Sequence, residues 1–275
     1  MLLALDVGNT NVAVGFYRGR GKEAKLVADW RLSTSRTRTA DEYGAVVLGF
    51  LVSSGLTLAD VKHVAISSVV PQANRDLTVF ARRYFHTEPF FVSANGNLGM
   101  TIRYDNPTDV GPDRICDAVG AHAKYGCKDP LIVVDFGTAT TFNAIAANGD
   151  YLGGAIAPGV AISMNALFQN AARLYPVEFK TPPAAIGKNT INSMQAGAVF
   201  GFAGQIDGLV NRIKKELGGK AKVIAAGGLA PLIQHECETI DVVDQMITLE
   251  GLRILFERHE DKAGKRQAEA KTKKK

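Results

Sequence analysis

"LLALDVGNTN", residues 2–11, runs four apolar residues into an acid and the acid into a tight polar turn. The next stretch, "VAVGFY" at 12–17, resumes an apolar strand pattern, so the two together read as a β-hairpin. The same arrangement returns at residues 131–140, "LIVVDFGTAT": an apolar strand, Asp135, one residue, Gly137 and a threonine. From Asp6 to Asp135 the offset is 129 residues.

The elements around the two copies recur in the same order. After the first hairpin come a strand pattern at 25–33, a helical pattern at 40–55, a buried strand at 61–70, an amphipathic helix at 72–85 and a strand at 88–93. In the second half, residues 130–159 give strand, acidic turn, strand, turn, strand. Helical patterns follow at 160–173 and 190–217, a short buried strand at 222–228, a helix start at 229 and a last amphipathic helix at 248–260. A long internal repeat of this kind predicts two similar halves, each a mixed sheet with helices on its faces. We place the first half at 1–115, the second at 116–259 and a tail at 260–275.

An acid followed by a glycine turn has a chemistry. Glycine lets backbone N–H groups come close to phosphate oxygens, and a threonine hydroxyl adds a donor. A carboxylate at the strand end can hold a cation directly or through water. One such turn is a weak signal, since many hairpins contain one. Two in matched places point to a phosphate-bearing ligand.

Bulk composition excludes several classes. At 275 residues with 46% hydrophobic and 21% charged, the chain can bury a large core. No apolar run reaches the length of a membrane helix, and Asp6 interrupts the N-terminal one, which rules out a signal peptide. We therefore expect a cytoplasmic protein. Three cysteines, Cys116, Cys127 and Cys237, without CxxC spacing read as reduced thiols. His63, His86, His122, His235 and His259 show no metal-ligand spacing and read as structural or surface residues. Of the net charge of +5, the last 16 residues supply +4, from six lysines and one arginine against three acids. The basic character is thus a property of the tail, which reads as disordered, and no nucleic-acid motif accompanies it.

The pair "LDVGNTN" and "VVDFGTATTF" resembles the phosphate motifs of the superfamily that holds actin, hexokinase and the heat-shock chaperone ATPases. Within it, "YDNPTDVGPDR" at 104–114, "GGAIAPG" at 153–159, "GKNTINSMQAG" at 187–197 and "TLEGLRILFER" at 248–258 are together similar to type III pantothenate kinase. The resemblance covers residues 1–259. It implies an actin-like (ribonuclease H-like) α/β fold with ATP between the halves, and transfer of the γ-phosphate to the primary hydroxyl of pantothenate. It also implies magnesium, a monovalent cation (potassium or ammonium), and a homodimer with a shared substrate site.

By the same resemblance Asp6, Val7, Gly8, Asn9, Thr10, Asn11, Val12, Ala13 and Thr138 contact ATP. Asp135 holds the monovalent cation; from its own place at a strand end, Asp6 is the better candidate for magnesium, through water. Tyr104, Gly111, Pro112, Asp113 and Arg114 line the pantothenate site, with Asp113 as general base and Thr190 contributed by the partner subunit. The chain departs from the family at Ala171 and Ala226, where threonines are usual, and at Tyr175, inserted before Pro176.

The residues themselves support part of this. "PDRICDAVGAHAKY" has helical spacing with Pro112 at its start, which puts Asp113 in the first turn, where the helix dipole favours a carboxylate. Such a residue either caps the helix or accepts a proton. Arg114 matches the bidentate geometry of a carboxylate. Asp117 shares the helix face and reads as structural. In "RTRTADEY", 36–43, Thr39 reads as a helix cap, with a loop closing over phosphate as the alternative. Two other readings stand beside the kinase. One is a sugar kinase or exopolyphosphatase of the same superfamily. The other is a non-catalytic ATP-binding regulator, which the presence of Asp6, Asp113 and Asp135 disfavours.

Overall fold

The apolar alternation of the first residues builds β1 (Leu2–Val7) and β2 (Asn11–Arg18), followed by β3 (Lys25–Ser33). A capping box of Thr39 with Glu42 starts α1 (Ala40–Ser53), as the sequence indicates. Then come β4 (His63–Ser68), α2 (Asn74–Phe85), β5 (Phe90–Phe91) and α3 (Pro112–Tyr125). The computed structural model describes residues 1–126 and 128–272, so Cys127 and the final three lysines lie outside it.

The chain forms two compact units, Met1–Gly120 with Ile247–Lys275, and Ala121–Met246. In the first, the sheet order is β3-β2-β1-β4-β5, with β1, β2 and β3 antiparallel and β4 and β5 parallel. Leu3, Leu5 and Val7 of β1 face α1 and α2, where Tyr43, Leu51, Leu77 and Phe80 complete a dry core. Full burial of such a side chain contributes about 1.5–3 kcal/mol.

The second unit repeats the plan with β6 (Leu131–Phe136), β7 (Ala139–Ile145) and β8 (Tyr151–Pro158), then α4 (Val160–Asn170) and α5 (Thr190–Glu216). β9 (Lys222–Gly227), α6 (Ala230–Ile233) and β10 (Val242–Val243) complete it. Its order, β10-β9-β6-β7-β8, is the first sheet's order strand for strand. Ile132, Val134 and Phe136 pack on Ile206 and Val210 of α5. Lys124 and Tyr125 at the end of α3 both bond Asp244, at 2.7 and 2.9 Å.

The last helix, α7 (Ile247–Thr272), corrects two expectations. We assigned it to the second half; it belongs to the first unit. Its buried side chains, Leu249, Leu252, Leu255 and Phe256, cover the face of β1, β2 and β4 opposite α1 and α2. We also read 260 onward as disordered, whereas the helix continues to Thr272. The residues that argued for disorder, Ala, Glu, Gln, Lys and Arg, are also strong helix formers.

α7 crosses α3 at van der Waals distance. A Cβ on Gly251 would collide with the carbonyl oxygen of Cys116, and one on Gly120 with that of Ile247. Beside this crossing the Thr248 hydroxyl donates to Asp117 Oδ1 at 2.7 Å, which ties the buried Asp117 to α7. We expect Gly251→Ala to lose about 3 kcal/mol in urea unfolding, because two helix backbones must separate. Gly204→Ala, on the exposed side of α5 with nothing within 4 Å, should gain about 0.5–1 kcal/mol in the same assay.

Candidate functional site

Each unit carries one of the acidic turns. In the first, Asp6 pairs in register with Ala13 of β2 and Ser67 of β4, near the end of the central strand. The turn closes by Gly8 N–H donating to the Asn11 carbonyl at 3.0 Å. Thr34, just past β3, then fastens it twice. Its hydroxyl donates to Gly8 O at 2.7 Å and its N–H to Thr10 O at 2.9 Å. Nothing in the sequence reading singled out Thr34.

The start of α3 lies in the same unit. The space where a Gly111 side chain would sit is taken: a Cβ there would lie 2.5 Å from Asp113 Oδ1 and 3.8 Å from Val69, just after β4. Asp113 Oδ1 accepts from the Arg114 N–H at 2.8 Å. The helix dipole is expected to favour an ionised Asp113, and burial acts against it. Burial is the larger effect and raises the Asp113 carboxyl above its ordinary value, against the opposing pull of Arg114.

Asp113, Cys116 and Asp117 occupy one side of α3 by their spacing of three and four. The fully buried Cys116 thiol is pushed well up by burial and by the carboxylates of Asp6, Asp117 and Asp113. Asp6 of β1 and Asp113 of α3, 107 residues apart in sequence, thus both act electrostatically on one thiol. Arg114 is 6% exposed, and Tyr104 is half-buried in the irregular stretch before α3.

In the second unit Asp135 pairs with Thr141 and Ala226. Its carboxylate lies between two glycines. A Cβ on Gly137 would stand 3.3 Å from Oδ2, and one on Gly227 only 2.6 Å from Oδ1. Gly227 also has φ of +87°, which excludes most side chains on its own account. The turn is closed by Gly137 N–H on the Ala139 carbonyl and by Gly159 N–H on that of Thr138, at 3.0 and 3.2 Å. Sequence reading flagged 226–228 for its missing threonine but did not identify Gly227 as a wall of the Asp135 site.

Thr190 opens α5, where Asn189 Oδ1 caps the helix through the Asn192 N–H at 2.8 Å. It lines a groove of about 840 Å³ with Met164, Leu167, Leu174 and Lys188, all in the second unit. Ala171 ends α4. Among the described residues, no group of three or more His, Cys, Asp or Glu side chains could hold a metal ion by itself. His63 packs on Phe256, His259 on Phe90, and His122 on the Ala147 carbonyl. Burial, with Asp207 and Glu236 nearby, pushes the Cys237 thiol up to about 12. No helix among the described residues is long and apolar enough to cross a membrane.

The family model of type III pantothenate kinase matches residues 2–212. The chain belongs to the type III pantothenate kinase family. Members named type III pantothenate kinase from Geotalea uraniireducens and Myxococcus xanthus are each 49% identical to it, over 95% and 94% of this chain and 100% and 99% of theirs. One from an Anaeromyxobacter species is 51% identical over 94% of this chain and 100% of its own. Among solved structures, this family member superposes on a Baf family transcriptional activator from Campylobacter jejuni with TM-score 0.57 at 16% identity, covering 94% and 99% of the two chains. An Arthrobacter polyphosphate/ATP-glucomannokinase follows with TM-score 0.50 at 14% identity, covering 94% and 99%. Those likenesses are of fold alone, and the fold is the actin-like one of two matching α/β halves.

The raised Asp113 carboxyl sets a stability prediction. Folding favours its protonated form, so its contribution to stability is complete below the unfolded value of about 3.9 and is lost as pH rises through the folded one. At neutral pH the buried charge is a net cost. Asp113→Asn should therefore melt above the wild type at pH 7, with the gap closing in acid, as read by thermal unfolding across pH.

Proposed function

We propose that this chain transfers the γ-phosphate of ATP to the primary hydroxyl of pantothenate, giving 4′-phosphopantothenate, the first step of coenzyme A biosynthesis. What carries the reading is identity of about 50% with named type III pantothenate kinases over nearly the whole chain. The presence of Asp6 and Asp113 in one unit, both acting on the field at Cys116, supports it physically. We take the reaction to be cytoplasmic, where ATP is supplied.

Phosphoryl transfer asks for positioning, charge neutralisation and a proton acceptor. Asp113 is the acceptor. With Oδ1 engaged by the Arg114 N–H, Oδ2 takes the hydroxyl proton. A raised carboxyl is a stronger base than an ordinary aspartate, which suits the task. The Arg114 guanidinium and Tyr104 hold the pantothenate carboxylate and amide, beside Gly111 and Pro112. Backbone N–H groups of residues 6–13 and the Thr138 hydroxyl bind the nucleotide phosphates.

Magnesium neutralises phosphate charge when bound, and Asp6 holds it through water. Magnesium sites commonly combine one or two carboxylates with phosphate oxygens, so a multi-residue cage is not required. Asp135 holds potassium or ammonium. Its carboxylate in a glycine cradle fits this role, because a Cβ at Gly227 would fill the space beside Oδ1. The active form is a homodimer in which the partner supplies Thr190. Exposed apolar side chains in and around α4 and α5 support it: Ile162, Leu167, Tyr175, Ile191 and Ile186, the last 82% exposed.

The test is ADP release from ATP and magnesium, with and without pantothenate, in potassium and in sodium buffer. Turnover should need pantothenate and potassium. Turnover without pantothenate, or none at all from folded protein, would point to another acceptor or to the regulator. Asp113→Asn should lower kcat by about 10²–10⁴-fold. The acid limb of the wild-type kcat/KM profile should lie above an ordinary aspartate's, activity falling as pH drops through it. Asp135→Ala should abolish the difference between potassium and sodium; unchanged potassium dependence refutes the cation assignment.

A further inference from the structure

Residues 34–39 join β3 to α1, and Thr34 at their start lies against the first acidic turn. At one end Thr34 bonds the carbonyls of Gly8 and Thr10. At the other, Thr39 and Glu42 lock the segment to α1 through reciprocal bonds, with Thr39 N–H to Glu42 Oε2 at 2.7 Å. Between them the guanidinium of Arg38 lies 5.3 Å from the centre of the Tyr43 ring.

We infer that this segment is a strap that positions the first phosphate turn, with Thr34 as its fastening and Arg38 as its anchor. The inference rests on the reading of that turn as a nucleotide site. A trans peptide directs its C=O and N–H to opposite sides. Holding Gly8 O from the Thr34 side therefore aims the Asn9 N–H the other way, out of the turn.

A second observation separates the strap from an ordinary loop. Arg38 Nη1 and Tyr43 Oη are buried and have no hydrogen-bond partner among the described residues, and Tyr43 is 1% exposed. Burial raises the Tyr43 hydroxyl, with Arg38 opposing and Asp76 reinforcing the shift. Two orphaned polar atoms at one place are costly, and folded proteins tolerate few of them. An apolar side chain at 38 would remove that cost. Against that cost stands the contact of the guanidinium with the Tyr43 ring, and the segment that Arg38 anchors is the one Thr34 fastens to the turn.

The experiment measures KM for ATP, KM for pantothenate, kcat and melting temperature for Thr34→Val, Thr34→Ser, Arg38→Met and Asp6→Asn. Thr34→Val should raise KM for ATP about tenfold and leave KM for pantothenate unchanged, and Thr34→Ser should restore the wild-type value. Arg38→Met should raise KM for ATP severalfold while its melting temperature stays level or rises. Wild-type ATP kinetics in Thr34→Val, or defects in both variants that follow a fall in melting temperature, overturn the strap. Asp6→Asn separates the two layers. If it alone impairs ATP use, the turn is a nucleotide site and the strap is wrong. If it too uses ATP as the wild type does, the reading of the turn falls, and the strap with it.

Discussion

An acid at the end of a central strand is a demanding thing to place, and each unit is arranged around one. β1 and β6 have neighbours on both sides, so Asp6 and Asp135 cannot retreat to a sheet edge. Their charges are tolerable only if nothing bulky seals them from polar partners. The register partners are accordingly small: Ala13 and Ser67 beside Asp6, Thr141 and Ala226 beside Asp135. Glycines stand where a side chain would press on the carboxylate or the turn, at 8, 137 and 227. From this constraint follow the tight turns, the short residues around them and the open strand ends where a ligand can reach a carboxylate.

The two acids are served differently. Around Asp135 the means is backbone proximity, with glycine on either side of the carboxylate. Around Asp6 it is an assembly of distant pieces: the turn, Thr34 from beyond β3, and the first turn of α3. That helix is held from behind by α7 through Gly120, Gly251 and the bond from Thr248 to Asp117. The carboxylate read as the base is therefore fixed by a helix whose own role is packing.

Much of this was legible in the chain itself. The 129-residue repeat, the two acidic turns and the Thr39 cap are local patterns, and sheet order and capping box follow them. Long-range choices were not legible. An amphipathic stripe such as Leu249, Leu252, Leu255 and Phe256 says that α7 buries a face, without saying against which sheet. The polar tail composition suited both a coil and a helix. Thr34 lies 26 residues from Gly8, and Gly227 lies 92 from Asp135, so neither belongs to the motif it serves. The shift of Asp113 depends on how deeply the first turn of α3 is buried, and helical spacing carries no depth.

The return of α7 to the first unit has a consequence for how the chain comes off the ribosome. Domains generally form as they emerge, N-terminal segments first, at about 5–20 residues per second. Here the order is inverted. Ala121–Met246 is contiguous and complete once β10 has been made, whereas the unit holding Met1 waits for the final helix. Until the residues from Ile247 onward are synthesised, the face of β1, β2 and β4 and the backbone of α3 at Cys116 and Gly120 stay bare. The nascent protein thus exposes an apolar sheet face late in translation, and α7 closes it.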